Sequence, residues 1–125
     1  MTNRVLIVED DNGIASGLAD VVTYFCDMTP EVVDNIDDAV KLATEGNWSA
    51  AIVDGNLTSG VVTGDDGRLI SNILSGRGIP VIGYSADREP YQPESFWVEH
   101  GAYFRKPTGA ALLGEAVKSL ASVSV

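Results

Sequence analysis

Short apolar runs alternate with segments of helical period along the chain. Five runs rich in valine, isoleucine and aromatic residues predict strands, at residues 5–8, 30–33, 50–54, 79–86 and 102–106. Such runs are bounded by polar or turn-forming residues, such as the "SGRG" that precedes the fourth. The pattern therefore predicts five short strands separated by longer connections.

The connections carry apolar residues three and four positions apart, which is typical of one buried helical face. The predicted faces are Ile14, Leu18, Val21, Val22 and Phe25; Ile36, Ala39, Val40 and Ala43; Leu69, Ile70, Ile73 and Leu74; and Leu113, Ala116, Val117 and Leu120. Asn35 and Thr108 are placed to cap the second and the last helix. The fourth helix is expected to begin near Pro93, because proline is tolerated in a first turn.

Strands that alternate with helices predict right-handed crossovers and a parallel sheet with helices on both faces. The length of 125 residues suits one domain, so we expect a single doubly wound α/β domain over residues 1–125. No output domain is expected after Leu120. In such a sheet, ligands bind at the carboxyl ends of the strands.

Composition excludes several classes of function. The net charge is −10 and the eight basic residues are scattered, which argues against direct binding of nucleic acid. One cysteine (Cys26) and one histidine (His100) exclude an internal disulfide and a zinc site of the usual kind. No apolar run approaches the roughly 18 residues of a membrane span, so we expect a cytoplasmic protein without membrane insertion.

Polar residues follow the predicted strands at the edge where ligands bind. They are the run 9–11 (Glu-Asp-Asp), Asp54, Ser85 and Lys106. The acidic run alone could be a solvated cluster that favours the start of the first helix. Together with Asp54, however, its carboxylates suit a hard cation such as Mg²⁺. Lys106 and the Ser85 hydroxyl suit phosphoryl oxygens, and Asp54 could then act as the nucleophile.

The motifs "LIVED", "AIVD", "YSA" and "KP", in this order, resemble the receiver domain of bacterial two-component response regulators. The resemblance runs from Val5 to about Leu120. It implies a flavodoxin-like (βα)5 three-layer sandwich with a parallel sheet of order 2-1-3-4-5. It also implies a domain that catalyses its own phosphoryl transfer and dephosphorylation.

The resemblance assigns roles to individual residues. Asp54 would be the phosphoacceptor. Glu9, Asp10, Asp54 and the backbone carbonyl of Asn56 would hold Mg²⁺ or Mn²⁺. Ser85 and Lys106 would contact the phosphoryl group. Of these assignments, the backbone carbonyl of Asn56 as a metal ligand comes from the resemblance alone.

Further positions bear on signalling. Ser85 and Tyr103 match the hydroxyl and aromatic residues that form the family's switch, and Asn56 and Asp87 match positions that tune the phosphoryl lifetime. The chain departs from the family pattern in the long loop 55–67 and in Glu9, where aspartate is commoner. The longer loop would alter access to the site.

The leading hypothesis is a phosphorylation switch that accepts phosphate from a histidine kinase or a histidine phosphotransfer protein. It would signal by docking to a downstream protein or by phosphorelay. A second hypothesis is a phosphatase of the haloacid-dehalogenase kind, which "VDGNL" faintly echoes. A third is an interaction domain that works without phosphate.

Overall fold

The five predicted strands form one parallel sheet. In the computed structural model, the described residues are 3–57, 65–86 and 90–123. The strands are β1 (Arg4–Val8), β2 (Thr29–Val33), β3 (Ala50–Val53), β4 (Val81–Ser85) and β5 (Gly101–Arg105). Their order in the sheet is β2-β1-β3-β4-β5, and each neighbouring pair is parallel. The predicted doubly wound fold and its strand order are therefore confirmed.

Helices cover both faces of this sheet. They are α1 (Asn12–Asp20), which continues into a π-helical turn (Val21–Phe25), α2 (Ile36–Glu45), α3 (Asp65–Gly76), α4 (Glu94–His100) and α5 (Ala110–Val123). Core residues of α2, α3 and α4 pack on one face, and those of α1, the π turn and α5 pack on the other. Among the described residues, every helix is too short or too polar to span a lipid bilayer.

The side chains of β1 show how the core is divided. Leu6 and Val8 belong to the cluster under α2, α3 and α4, whereas Val5 and Ile7 belong to the cluster under α1 and α5. All four are at most 1% exposed. Strand side chains alternate between faces, so a strand buried on both sides reads as a continuous apolar run. This explains the uninterrupted "VLIV" at the start of the chain.

The helix starts match the sequence prediction in part. Asn35 accepts a hydrogen bond from the N–H of Asp38 at 2.9 Å, which confirms it as the cap of α2. The prediction that Thr108 caps α5 is wrong. That helix begins at Ala110, after Gly109, and the hydroxyl of Thr108 instead donates to the carbonyl of Arg105 at 2.6 Å. Thr108 thus closes the turn after β5.

The π-helical turn changes the face that the end of the first helix presents. Phe25, which regular helical spacing places on the buried face, is 40% exposed. A π turn holds an extra residue, so the side chains after it are rotated relative to a regular helix. The Phe25 ring lies against Gly114 of α5, where an added Cβ would come within 2.3 Å of the ring.

Gly67 allows α3 to approach the residues after β3. Its N–H donates to the carbonyl of Gly55 at 2.9 Å, and an added Cβ would lie 2.7 Å from the Gly55 Cα. We expect Gly67→Ala to lower the free energy of unfolding by about 1–3 kcal/mol, because backbone on both sides must shift. Urea denaturation measures this loss.

Gly76, at the end of the same helix, provides the matched control. An added Cβ there meets no described atom within 4 Å. Gly76→Ala is therefore expected to leave stability unchanged or to raise it by less than about 1 kcal/mol. Equal destabilisation by both substitutions would contradict the close approach at Gly67.

Candidate functional site

The candidate site lies at the carboxyl edge of the sheet, where three strands deliver charged side chains. Val8 of β1 lies opposite Val53 of β3, so Glu9 and Asp54 leave the sheet side by side. Lys106 follows β5, and its N–H donates to the carbonyl of Ser85 at 2.9 Å. The structure thus brings together charged residues that are far apart in sequence.

Lys106 makes two ion pairs in this site. Its Nζ lies 2.7 Å from Oε2 of Glu9 and 3.3 Å from Oδ2 of Asp54. Glu9 is 2% exposed, Asp54 is 7% exposed, and the Lys106 side chain is 13% exposed. Because water screens these charges little, the ammonium group is the main balance to the two carboxylates. One lysine side chain therefore neutralises part of the charge of two buried carboxylates.

Burial shifts the ionisation of both acids. It raises the pKa of Glu9 to about 7, with a smaller contribution from the charge of Asp54, and Lys106 opposes the shift only in part. Burial likewise raises the pKa of Asp54 above its usual value, again against the opposing effect of Lys106. Burial alone would lower the pKa of Lys106, but its hydrogen bonds and charge interactions with Glu9 and Asp54 raise it overall. Lys106 therefore stays charged while Glu9 exchanges a proton near neutral pH.

The three consecutive acids after β1 have different surroundings. Glu9 is buried, and Asp10 is exposed. Asp11 is the N-cap of α1 and accepts a hydrogen bond from the N–H of Ile14 at 2.9 Å. The interpretation of the run as a helix-start cluster therefore holds for Asp11, whereas Glu9 and Asp10 face the site.

Glu9, Asp10 and Asp54 each offer a carboxylate oxygen, and these oxygens lie within 4.8 Å of one another. In an octahedral Mg²⁺ site with bonds of about 2.1 Å, opposite ligands are about 4.2 Å apart. The three oxygens are therefore close enough to converge on one hard cation after side-chain movements. The donor set, all oxygen and mostly carboxylate, fits Mg²⁺ or Mn²⁺.

Three further predicted site residues, Ser85, Asn56 and Asp87, lie at or shortly after the ends of β3 and β4 in the chain. Ser85, at the end of β4, is 1% exposed. Asn56 is half-buried in the loop after β3, and its backbone hydrogen bond to Asp54 holds the pKa of that carboxyl lower than burial alone would set it. Asp87 and residues 58–64 of the long loop lie outside the described residues. The lifetime role of Asp87 and the conformation of the loop stay predictions.

Tyr103 lies in a cluster of aromatic rings beside the site. Its ring centroid is 5.9 Å from that of Tyr91 and 5.3 Å from that of Trp97. Gly83 of β4 makes room for these rings, because an added Cβ would lie 2.6 Å from both Tyr103 and Trp97. Sequence reasoning did not single out Tyr91, whose one signal was its position between two prolines just before α4.

Solved structures with the same fold cover nearly the whole chain. A CheY-like response regulator receiver domain protein from Methanospirillum hungatei JF-1 is 20% identical, covers 99% of this chain and 97% of its own, and has a TM-score of 0.77. SdrG from Sphingomonas melonis Fr1 is 27% identical, covers 95% of this chain and 96% of its own, and has a TM-score of 0.74. A CheY-like response regulator receiver domain from Methylobacillus flagellatus is 18% identical. The match covers 96% of this chain and 99% of that domain, with a TM-score of 0.74.

The chain therefore has the fold of CheY-like response regulator receiver domains, as the resemblance implied. No protein-family model matches the sequence, and no curated protein matches it.

Proposed function

We propose that the protein is a phosphorylation-dependent signalling switch of the two-component type. Asp54 would accept a phosphoryl group from a histidine kinase or a histidine phosphotransfer protein. The observation that carries this proposal is the position of Asp54: it is buried at the carboxyl edge of a receiver fold, 3.3 Å from the Lys106 ammonium and beside the oxygens of Glu9 and Asp10.

The chemistry follows from the groups at this edge. A carboxylate oxygen of Asp54 attacks phosphorus, the phosphorus–nitrogen bond to the donor histidine breaks, and the leaving nitrogen takes up a proton. The Lys106 ammonium and the Ser85 hydroxyl stabilise charge on the phosphoryl oxygens. Glu9, Asp10, Asp54 and the carbonyl of Asn56 would hold Mg²⁺ or Mn²⁺, which when bound supplies further neutralisation of those oxygens.

The direct test is labelling by a small phosphodonor. With Mg²⁺ and acetyl phosphate, intact-mass spectrometry is expected to show one added phosphoryl group on the parent and none on Asp54→Asn. Asp34→Asn is the matched control, since Asp34 is an exposed acid that follows β2 at the same edge of the sheet. Chelation by EDTA should abolish labelling of the parent. Equal labelling of parent and Asp54→Asn would overturn the assignment.

Metal binding should be visible in unfolding experiments without any phosphodonor. Because Asp54 is buried with a raised pKa, Asp54→Asn is expected to stabilise the metal-free protein, whereas Mg²⁺ should stabilise the parent more than the variant. At a tenfold excess of Mg²⁺ over its Kd, the gain for the parent is about 1.4 kcal/mol. Thermal melts with and without Mg²⁺ measure it, with Asp34→Asn as control. Identical Mg²⁺ responses in parent and Asp54→Asn would exclude Asp54 as a ligand.

The same proposal extends to signalling. Ser85 and Tyr103 would form the switch, with the Ser85 hydroxyl drawn toward a phosphoryl oxygen and the surface near Tyr103 altered in response. Asn56 and Asp87 would border the path of attacking water and so set the lifetime of the phosphorylated form. The altered surface would then dock to a downstream protein or pass the phosphoryl group on.

A further inference from the structure

The segment 90–93, between β4 and α4, has no regular secondary structure, yet its two central residues are buried. Its two central side chains are almost fully buried: Tyr91 is 3% exposed and Gln92 is 8% exposed. Both make side-chain hydrogen bonds to other elements of the fold. The segment is therefore more than a connection between a strand and a helix.

Tyr91 connects the segment to the end of β3, directly before Asp54. Its hydroxyl donates to the carbonyl of Val53 at 3.0 Å, directly before Asp54 in the chain. A Cβ added at Gly67 would lie 3.1 Å from Cδ1 of Tyr91 and 2.9 Å from the backbone oxygen of Asp54. The Tyr91 ring, the start of α3 and the end of β3 thus meet with no spare volume between them.

Gln92 fastens the same segment to α3. Its Nε2 donates to Oγ of Ser71 and to Oδ1 of Asn72, each at 2.7 Å, which uses both amide hydrogens in short bonds. In the opposite direction, Nε of Arg68 donates to the carbonyl of Tyr91 at 3.0 Å. Three residues of α3 therefore hold two consecutive residues of the segment.

The segment also contacts α4 and β5. The indole N–H of Trp97 donates to the carbonyl of Gln92 at 3.2 Å. The Tyr91 ring packs edge-on against Trp97, with centroids 5.3 Å apart, and against Tyr103, with centroids 5.9 Å apart. Residues 90–93 are thus in contact with β3, α3, α4 and β5.

We propose that residues 90–93 form a latch through which the state of Asp54 sets the positions of α3 and α4. The inference rests on the proposed function and deepens it. In this proposal, a ligand bound to Asp54 and to the carbonyl of Asn56 shifts residues 54–56, which directly follow the Tyr91 hydrogen bond to Val53 and pack against Gly67. Densely packed contacts respond by moving to an alternative arrangement and not by stretching.

Two indole N–H groups provide the reporters. The chain has two tryptophans, and Gln92 is its single glutamine. Trp97 donates to the latch, whereas Trp48 donates to the carbonyl of Leu42 in α2 at 2.8 Å and serves as the internal control. In ¹⁵N–¹H spectra of the full chain, Mg²⁺ with beryllofluoride, a phosphoryl analogue, should shift the Trp97 indole and Gln92 side-chain amide signals. The Trp48 indole signal should stay in place.

Tyr91→Phe removes the hydroxyl that reaches Val53 and keeps the ring. We expect this variant to bind beryllofluoride within a few-fold of the parent, as measured by ¹⁹F NMR, and to lose most of the Trp97 and Gln92 shifts. A merely structural role would lower stability without separating binding from response. Tyr24→Phe is the matched control, because Tyr24 is 83% exposed, and it should respond as the parent does.

A second variant keeps the test decisive if Tyr91→Phe does not fold. Asn72 is exposed and accepts a hydrogen bond from Gln92, so Asn72→Ala should be tolerated by the fold. With beryllofluoride, this variant should show smaller chemical-shift changes at the α3 backbone amides, while the Trp97 indole signal still shifts. Unchanged α3 shifts in Asn72→Ala, or a full Trp97 response in Tyr91→Phe, would overturn the latch. So would loss of the response in Tyr103→Phe alone, which would assign the route to Tyr103.

Two outcomes distinguish failure of the latch from failure of the proposed function. Binding of beryllofluoride to the parent without movement of the Trp97 and Gln92 signals would overturn the latch and leave the proposed function standing. Absence of binding to the parent would overturn the proposed function, and the latch with it.

Discussion

Lys106→Met is expected to lower the free energy of unfolding at pH 8 by about 3–5 kcal/mol, because it leaves buried carboxylates without their cation. Lys106 lies 2.7 Å from Glu9 and 3.3 Å from Asp54, and both acids are less than a tenth exposed. Methionine fills the space of the lysine methylenes, so the loss reports charge more than packing. Denaturant unfolding of the metal-free protein measures it.

Two comparisons separate this loss from a general effect of removing a lysine. Lys118 is exposed and lies over the Phe25 ring, so Lys118→Met should change stability by less than about 1 kcal/mol. Adding Asp54→Asn to Lys106→Met should restore part of the loss, because one buried charge is then removed. A loss as large in Lys118→Met, or no recovery in the double variant, would contradict the account.

The metal-free protein is expected to lose about 3 kcal/mol of stability as pH rises from about 4.5 to about 7, through Glu9 alone. Burial raises the pKa of Glu9 from 4.5 to about 7 in the folded state, so the folded protein holds the proton more tightly than the unfolded chain does. The favourable contribution is thus fully present below pH 4.5 and is lost as pH rises through 7. Denaturant unfolding across this range, in EDTA, gives the profile.

Glu9→Gln isolates the contribution of that carboxyl. Glutamine resembles the protonated acid and keeps an oxygen for the Lys106 ammonium, so the variant should equal the parent near pH 4 and exceed its stability at pH 8. The difference between the two profiles cancels the titrating groups that do not interact with Glu9, and what remains reports Glu9 together with its neighbours Asp54 and Lys106. A difference that is constant with pH, or larger at low pH, would show that the Glu9 pKa is not raised.

The sheet and the edge that carries the site could be predicted from the sequence because their signals are local. Buried strands read as apolar runs, and the polar residue that ends each run lies at one edge of a parallel sheet. The positions of Glu9, Asp54, Ser85 and Lys106 follow from that rule alone. Their roles do not, since a carboxylate after a strand has the same sequence signal whether it binds a cation or caps a helix.

Other features depend on contacts that no local pattern records. The consecutive Asp10 and Asp11 differ because one faces the site and the other accepts the Ile14 N–H. The π turn that exposes Phe25 fits its packing against Gly114, which is distant in sequence. Tyr91 reads as a loop tyrosine between prolines, and only the folded chain shows its hydroxyl at Val53. Tertiary packing decides such cases over local propensity.

Because Lys106 pairs with both Glu9 and Asp54, binding of a cation at this site would affect binding of an anion. One ammonium group cannot neutralise Glu9 and a phosphoryl oxygen with equal strength at the same time. Whatever draws Glu9 away from Lys106 makes that ammonium more available to an anion, and an anion held by Lys106 frees Glu9 for a cation. In the proposed switch, the affinities for the cation and for the phosphoryl anion are therefore coupled, and each must raise the other by the same factor.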